Sequence, residues 1–284
     1  MKRGEKHKSP YERPSEPIRV RETARVEQMC VWLMQHRLLT VPQWLKLLPI
    51  KEPTLKPYLR KLYHGYYVDR IEYPTYGFGR NPAIYKLDKM GVQLLERLGY
   101  RDISIPNQKH QIPHTLGLAD IRISITQHIK AMGWNLLQWK SEYDFHREYH
   151  KVRLPNYKQS VSLKPDGYFV VELPNKRVST FFLEFDRDTE NLGTFIKKVR
   201  CYIEFLKSQQ YSKIYGYPGF RVLTVVEDKA RRRLQNLIHE IAKVERIKRR
   251  FWLTHLDDIN AENPINHPIW NIAGNIEGAQ LFED

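Results

Sequence analysis

The chain has 284 residues, with 47 Lys and Arg against 32 Asp and Glu, a formal charge of +15 and 41% hydrophobic content. That length and apolar fraction allow two compact domains, and the charge and pI of about 9.6 point to nucleic acid as the partner, with a membrane surface as the alternative. No apolar run approaches a bilayer span, and Cys30 and Cys201, both on apolar helical positions, exclude a disulfide framework and a zinc site.

Residues 1–25 are rich in Pro, Lys, Arg and Glu without periodicity and read as a basic flexible arm. They contain no apolar core of a signal peptide, so a cytoplasmic protein is expected. Val26, Met29, Cys30, Leu33 and Met34 then form one helical stripe, and Thr40 with Pro42 opens a second helix lined by Trp44, Leu45 and Leu48. A third helix carries Leu55, Leu59 and Leu62, with Pro57 expected in its first turn and Gly65 as its C-cap. Two strands, Tyr67 to Tyr73 and Ala83 to Leu87, follow around the loop TYGFGRNP, and residues 88–98 read as a fourth helix.

Three helices followed by a hairpin is winged-helix order, so residues 26–100 are expected to bind double-stranded DNA. The third helix would present Thr54, Lys56, Tyr58, Arg60, Lys61 and His64 to the major groove, and Phe78 and Arg80 would lie in the wing. A protein-interaction module with an ordinary solvated helix face is the alternative.

Residues 101–113 read as a linker and 114–284 as the second domain. A helix from His114 to Ala131 carries Leu118, Ile121, Ile125 and Ile129, a strand runs from Asn135 to Tyr143, and the polar stretch DFHREYHKVRLPNYKQSVSL reads as a long functional or mobile loop. Next comes KPDGYFVVELPNKRVSTFFLEFDRDTE, a hairpin whose midpoint is Asn175. A register symmetric about that residue puts Asp166 opposite Glu184, with Asp186 two residues on sharing the face. Three carboxylates so gathered need a compensating cation, for which Mg²⁺ is the natural occupant. Solvated acidic strand ends in another register are the alternative. A helix after Glu190 turns Phe195, Val199, Tyr202, Ile203 and Leu206 inward, and FRVLTVV forms a further strand. Leu234, Leu237, Ile238 and Ile241 line a later helix, while residues 229–250 carry nine Lys or Arg against two Glu, a surface suited to a phosphate backbone. The whole reads as an α/β (α+β) chain.

The runs HTLGLADIRISI, Trp139 to Glu142, KPDGYFVVE, LEFDRDTENLGTFIKKVRCY and FRVLTVVE resemble the replication-relaxation family of plasmid and mobile-element proteins. The resemblance implies a winged helix followed by a PD-(D/E)XK nuclease-like domain, with roles in plasmid replication and relaxation. It also implies that Glu142, Asp166 and Glu184 occupy the acidic positions. The lysine expected two residues after the glutamate is replaced by Asp186, which puts negative charge where an approaching phosphate needs positive charge.

Two outcomes follow. Lys198, on the next helix, acts as a migrated lysine and Asp166, Glu184 and Lys198 form a metal-dependent endonuclease or nickase, or the domain is a degenerate nuclease fold that binds DNA or a protein partner. Because of Asp186, the expectation here is the degenerate form, in a DNA-binding protein of replication, maintenance or regulation. A transcriptional regulator and a transposition or conjugation accessory are the alternatives without catalysis. His114 reads as a satisfied helix-terminal histidine, with a contact to the site as its alternative. Homodimerisation is left open by the sequence.

Overall fold

The computed structural model describes residues 12–71, 83–105, 111–155, 157–227, 231–244, 248–274 and 278–282. The chain mixes helix and sheet and divides into two compact units, Met1–Ala119 and Asp120–Asp284. The division falls inside one helix, later than the expected linker.

The first unit opens on an extended segment, tied down by side chains, that leads into α1 (Ala24–His36). The guanidinium of Arg13 lies 4.4 Å and 4.0 Å from the ring centroids of Tyr63 and Tyr66 and pairs with Asp88 at 2.5 Å. Glu22 accepts from the Tyr67 hydroxyl and pairs with Arg97, both at 2.6 Å. From Glu12 to Thr23 the expected flexible arm is therefore a clamp, because two of its charged side chains, Arg13 and Glu22, find partners in the folded unit. Residues 1–11 lie outside the described residues.

Thr40 begins α2 (Val41–Leu47) with a capping box in which Gln43 Oε1 accepts from Thr40 N at 2.9 Å. It also ends a two-residue strand, β1 (Leu39–Thr40), that sequence reading missed. The next helix, α3 (Glu52–His64), starts a turn earlier than expected, since Pro53 fits its opening positions, and Pro57 falls inside it. Gly65 is its C-cap at φ −83°. No left-handed backbone requires glycine there; a Cβ would come within 2.4 Å of Val20 Cγ2, so close packing of the clamp does. β2 (Val68–Ile71) and β3 (Ile84–Leu87) pair antiparallel, with β1 on the other side of β3, and α4 (Lys89–Arg97) follows. The intervening residues 72–82, including Phe78 and Arg80 of the expected wing, lie outside the described residues.

α5 (Ile112–Ala131) crosses the division. Among the described residues of the second unit, seven strands run in the order β12-β11-β10-β9-β8-β7-β4. They are β4 (Asn135–Ser141), β7 (Gly167–Glu172), β8 (Val178–Asp186), β9 (Arg221–Val226), β10 (Phe251–His255), β11 (Trp270–Ile272) and β12 (Gly278–Ala279). The strand expected to reach Tyr143 stops at Ser141, because Asp144 captures the Ser141 N–H at 2.7 Å and opens α6 (Glu142–Arg147). The polar stretch after it is likewise not one long loop: β5 (His150–Val152) and β6 (Val161–Leu163) form an antiparallel pair. α7 (Leu192–Lys207), α8 (Gln210–Tyr215) and α9 (Arg231–Ala242) connect the parallel strands β8, β9 and β10, followed by a short α10 (Leu256–Ala261). The apolar faces of α7 and α9 join Tyr168, Val170 and Phe182 in one buried cluster. That cluster covers the even-numbered face of β8, where Glu184 and Asp186 also point.

His150 is held in this core, stacked 4.7 Å from Phe205, with Nε2 2.9 Å from the Tyr215 hydroxyl. Burial, and then Lys140, lowers its pKa to about 4. The unfolded chain takes a proton near pH 6.5 that the folded chain refuses, so this stability is present above pH 6.5 and lost as pH falls towards 4. Melting curves over that window are expected to fall less steeply for His150→Phe than for the wild type, by up to about 1.4 kcal/mol per pH unit. Equal slopes would contradict the assignment.

Candidate functional site

The β7–β8 hairpin forms because Pro174-Asn175-Lys176 supplies a turn between two runs of β-branched and aromatic residues. Its register has the expected symmetry: Gly167 pairs with Leu183 and Tyr168 with Phe182. One step further, Asp166 N donates to Leu183 O at 3.1 Å, and Asp166 Oδ2 accepts from Phe185 N at 2.7 Å. Asp166 thus stands at the end of β7 across from Glu184. The start of α6 brings Glu142 to the same end of the sheet, because β4 flanks β7, and one oxygen of Glu142 and one of Asp166 lie within 4.8 Å of each other.

Glu184 is 3% exposed, and each of its oxygens is engaged. Lys198 Nζ donates to Oε2 and the Tyr202 hydroxyl donates to Oε1. These donors are four residues apart on α7, one turn of one face. Burial pushes the Glu184 carboxyl above its ordinary range, opposed by Lys198 and reinforced by Asp166. For Lys198, burial acts downward, but the attraction of Glu184, then of Asp166, outweighs it and holds the ammonium above its ordinary range. The lysine that reaches the glutamate from the following helix therefore stays charged.

Asp186 is engaged by an arginine from α9. Its Oδ2 accepts from Arg233 Nε at 3.2 Å and from an Arg233 terminal nitrogen at 2.9 Å, and its Oδ1 accepts from Asp188 N at 2.7 Å. Both partners are buried, with side-chain exposures of 7% for Arg233 and 3% for Asp186. The repulsion expected of a third carboxylate is thus cancelled by a guanidinium from α9, at a position the sequence showed only as part of a basic run.

Tyr202 and Arg233 are the residues that sequence reading left out of the site. Tyr202 had a usable signal, its spacing of four from Lys198. Thr224, beside Glu184 in the β8–β9 register, is fully buried, and its hydroxyl meets no partner among the described residues.

In the first unit, Leu55, Leu59 and Leu62 bury one side of α3, which leaves Thr54, Lys56, Arg60 and Lys61 exposed and Tyr58 and His64 half-buried. Lys56 pairs with Glu52 at 2.5 Å across one turn. The exposed face is basic, as expected.

Among the described residues no helix is long and apolar enough to cross a membrane. The sequence profile of the replication-relaxation family matches residues 31–220, a stretch that includes Glu142, Asp166, Glu184, Lys198 and Tyr202 and ends before Arg233. No curated protein and no solved structure matches the chain.

Proposed function

Because this chain belongs to the replication-relaxation family, whose membership points to plasmid or mobile-element replication, we propose that it is a double-stranded DNA-binding protein with a metal-dependent strand-cleaving site. The first unit is read as a winged helix that lays α3 in the major groove, and the second as a PD-(D/E)XK nuclease-like domain. The observation that carries the cleavage reading is the placement of Lys198 on Glu184 across from Asp166, together with the neutralisation of Asp186 by Arg233. Asp186 was the reason to expect a degenerate site, and its charge is already balanced.

Glu142 and Asp166 fit a hard divalent cation such as Mg²⁺, since both offer carboxylate oxygens close enough to share one ion. The ion, when bound, polarises a phosphate and lowers the pKa of a water. The protein's own residues do the rest: Lys198 supplies a fixed positive charge beside Glu184, and Tyr202 and the Phe185 amide hold Glu184 and Asp166 in place. The engagement of both Glu184 oxygens favours a second reading, a DNA-binding or partner-docking platform without catalysis.

Conversion of supercoiled plasmid to open circle tests the choice. Cleavage is expected only with Mg²⁺ or Mn²⁺ and is expected to vanish in Asp166→Asn with duplex affinity unchanged; absence of cleavage under every metal condition would leave the platform reading. For the first unit, Arg60→Ala with Lys61→Ala is expected to lower the salt slope of duplex binding by about two, near 0.9 for each phosphate that is no longer neutralised. An unchanged slope in anisotropy titrations would remove α3 from the interface.

A further inference from the structure

We propose that the β5–β6 hairpin and the start of α7 form a platform for single-stranded DNA next to the acidic site. This rests on the DNA-binding reading above and deepens it, by naming an unpaired strand as what the second unit holds.

The aromatic residues of this unit are mostly core: Tyr168, Tyr202 and Tyr211 are at most 2% exposed. Tyr149 and Tyr157 differ, at 40% and 38%, and both belong to the segment around one hairpin. Each has a lysine over its ring. Lys164 Nζ stands 5.1 Å from the Tyr149 centroid and Lys197 Nζ 4.8 Å from that of Tyr157. An exposed ring beside a cation offers a stacking face for a base and a charge for its phosphate, the pair of contacts by which unpaired strands are held. A duplex keeps its base faces stacked inside and has none to offer such a ring.

Tyr157, Arg153 and Lys158 also line an open cavity of about 460 Å³, with Glu204 as the one acidic lining residue among the described residues, so that lining is net positive. The platform adjoins the candidate site in sequence. Lys164 precedes Asp166 by two residues, about 7 Å along an extended chain, and Lys197 immediately precedes Lys198.

The test uses the full chain and a fluorescein-labelled oligothymidylate, which forms no secondary structure, beside a duplex of equal length. Tyr149→Ala and Tyr157→Ala are each expected to weaken oligothymidylate binding about tenfold, with the Phe replacements close to wild type. Lys164→Gln and Lys197→Gln are each expected to lower the single-strand salt slope by about 0.7. Oligothymidylate affinity unchanged in the double alanine variant would overturn the proposal, as would a loss of the same factor for duplex. A chain that bound no duplex at all would instead remove the DNA-binding reading, which the duplex measurement reports separately.

Discussion

Lys198→Met is expected to reduce metal-dependent plasmid nicking about 10²–10³-fold, the usual effect of removing one group aimed at developing charge, while duplex binding stays at the wild-type level. Lys198 Nζ donates to Glu184 Oε2 from a helix that begins after β8, and the attraction of Glu184 and Asp166 keeps it protonated. Removing it also leaves a carboxylate that is 3% exposed without its cation, which costs stability on its own account. The double variant Glu184→Gln, Lys198→Met separates the two effects. It is expected to regain most of the lost melting temperature and none of the nicking. Nicking that persists in Lys198→Met would show that the charge is supplied by another group, and recovery of nicking in the double variant would contradict the role given to the pair.

Arg233→Met is expected to destabilise the second unit by about 3–5 kcal/mol, because it strands the buried Asp186 carboxylate whose Oδ2 holds two Arg233 donors. The companion double variant Asp186→Asn, Arg233→Met removes both charges of this pair and is expected to recover most of that loss in urea or thermal unfolding. Asp186→Asn alone leaves the buried guanidinium with only the exposed Asp188 carboxylate at 3.5 Å and the Glu190 carbonyl, and is expected to be destabilising as well. If Asp186 served a divalent cation, Asp186→Asn would weaken metal binding measured by calorimetry. Its engagement by Arg233 leads to the opposite expectation, unchanged metal affinity with lowered stability.

Periodicity and turn chemistry were enough to locate most elements, because they are local. The leucines of α3 recur at helical spacing, and the turn residues about Asn175 sit between two strand-forming runs, so the hairpin register that faces Asp166 with Glu184 was readable from residue counts. The errors were also local in origin. A capping box at Ser141 and Asp144 cut β4 short, and a hairpin of two three-residue strands hid inside polar sequence that carries no alternation long enough to detect. Family membership, too, was legible in the motifs.

What the tertiary structure decided is which charges meet. Asp186 and Arg233 are 47 residues apart, and Glu184 and Tyr202 are 18 apart; neither separation has a spacing rule, since each pair comes from different elements brought together by the burial of α7 and α9 on one face of the sheet. The same three carboxylates in sequence therefore have three different fates. Asp166 ends its strand near Glu142, Glu184 is taken by a lysine and a tyrosine, and Asp186 is taken by an arginine. By itself the sequence determined that acidic residues would gather on one face of this hairpin, because side-chain direction along a strand follows from the backbone repeat. Their partners were decided by packing, because a buried carboxylate is tolerated only where the fold delivers a cation or donor to it.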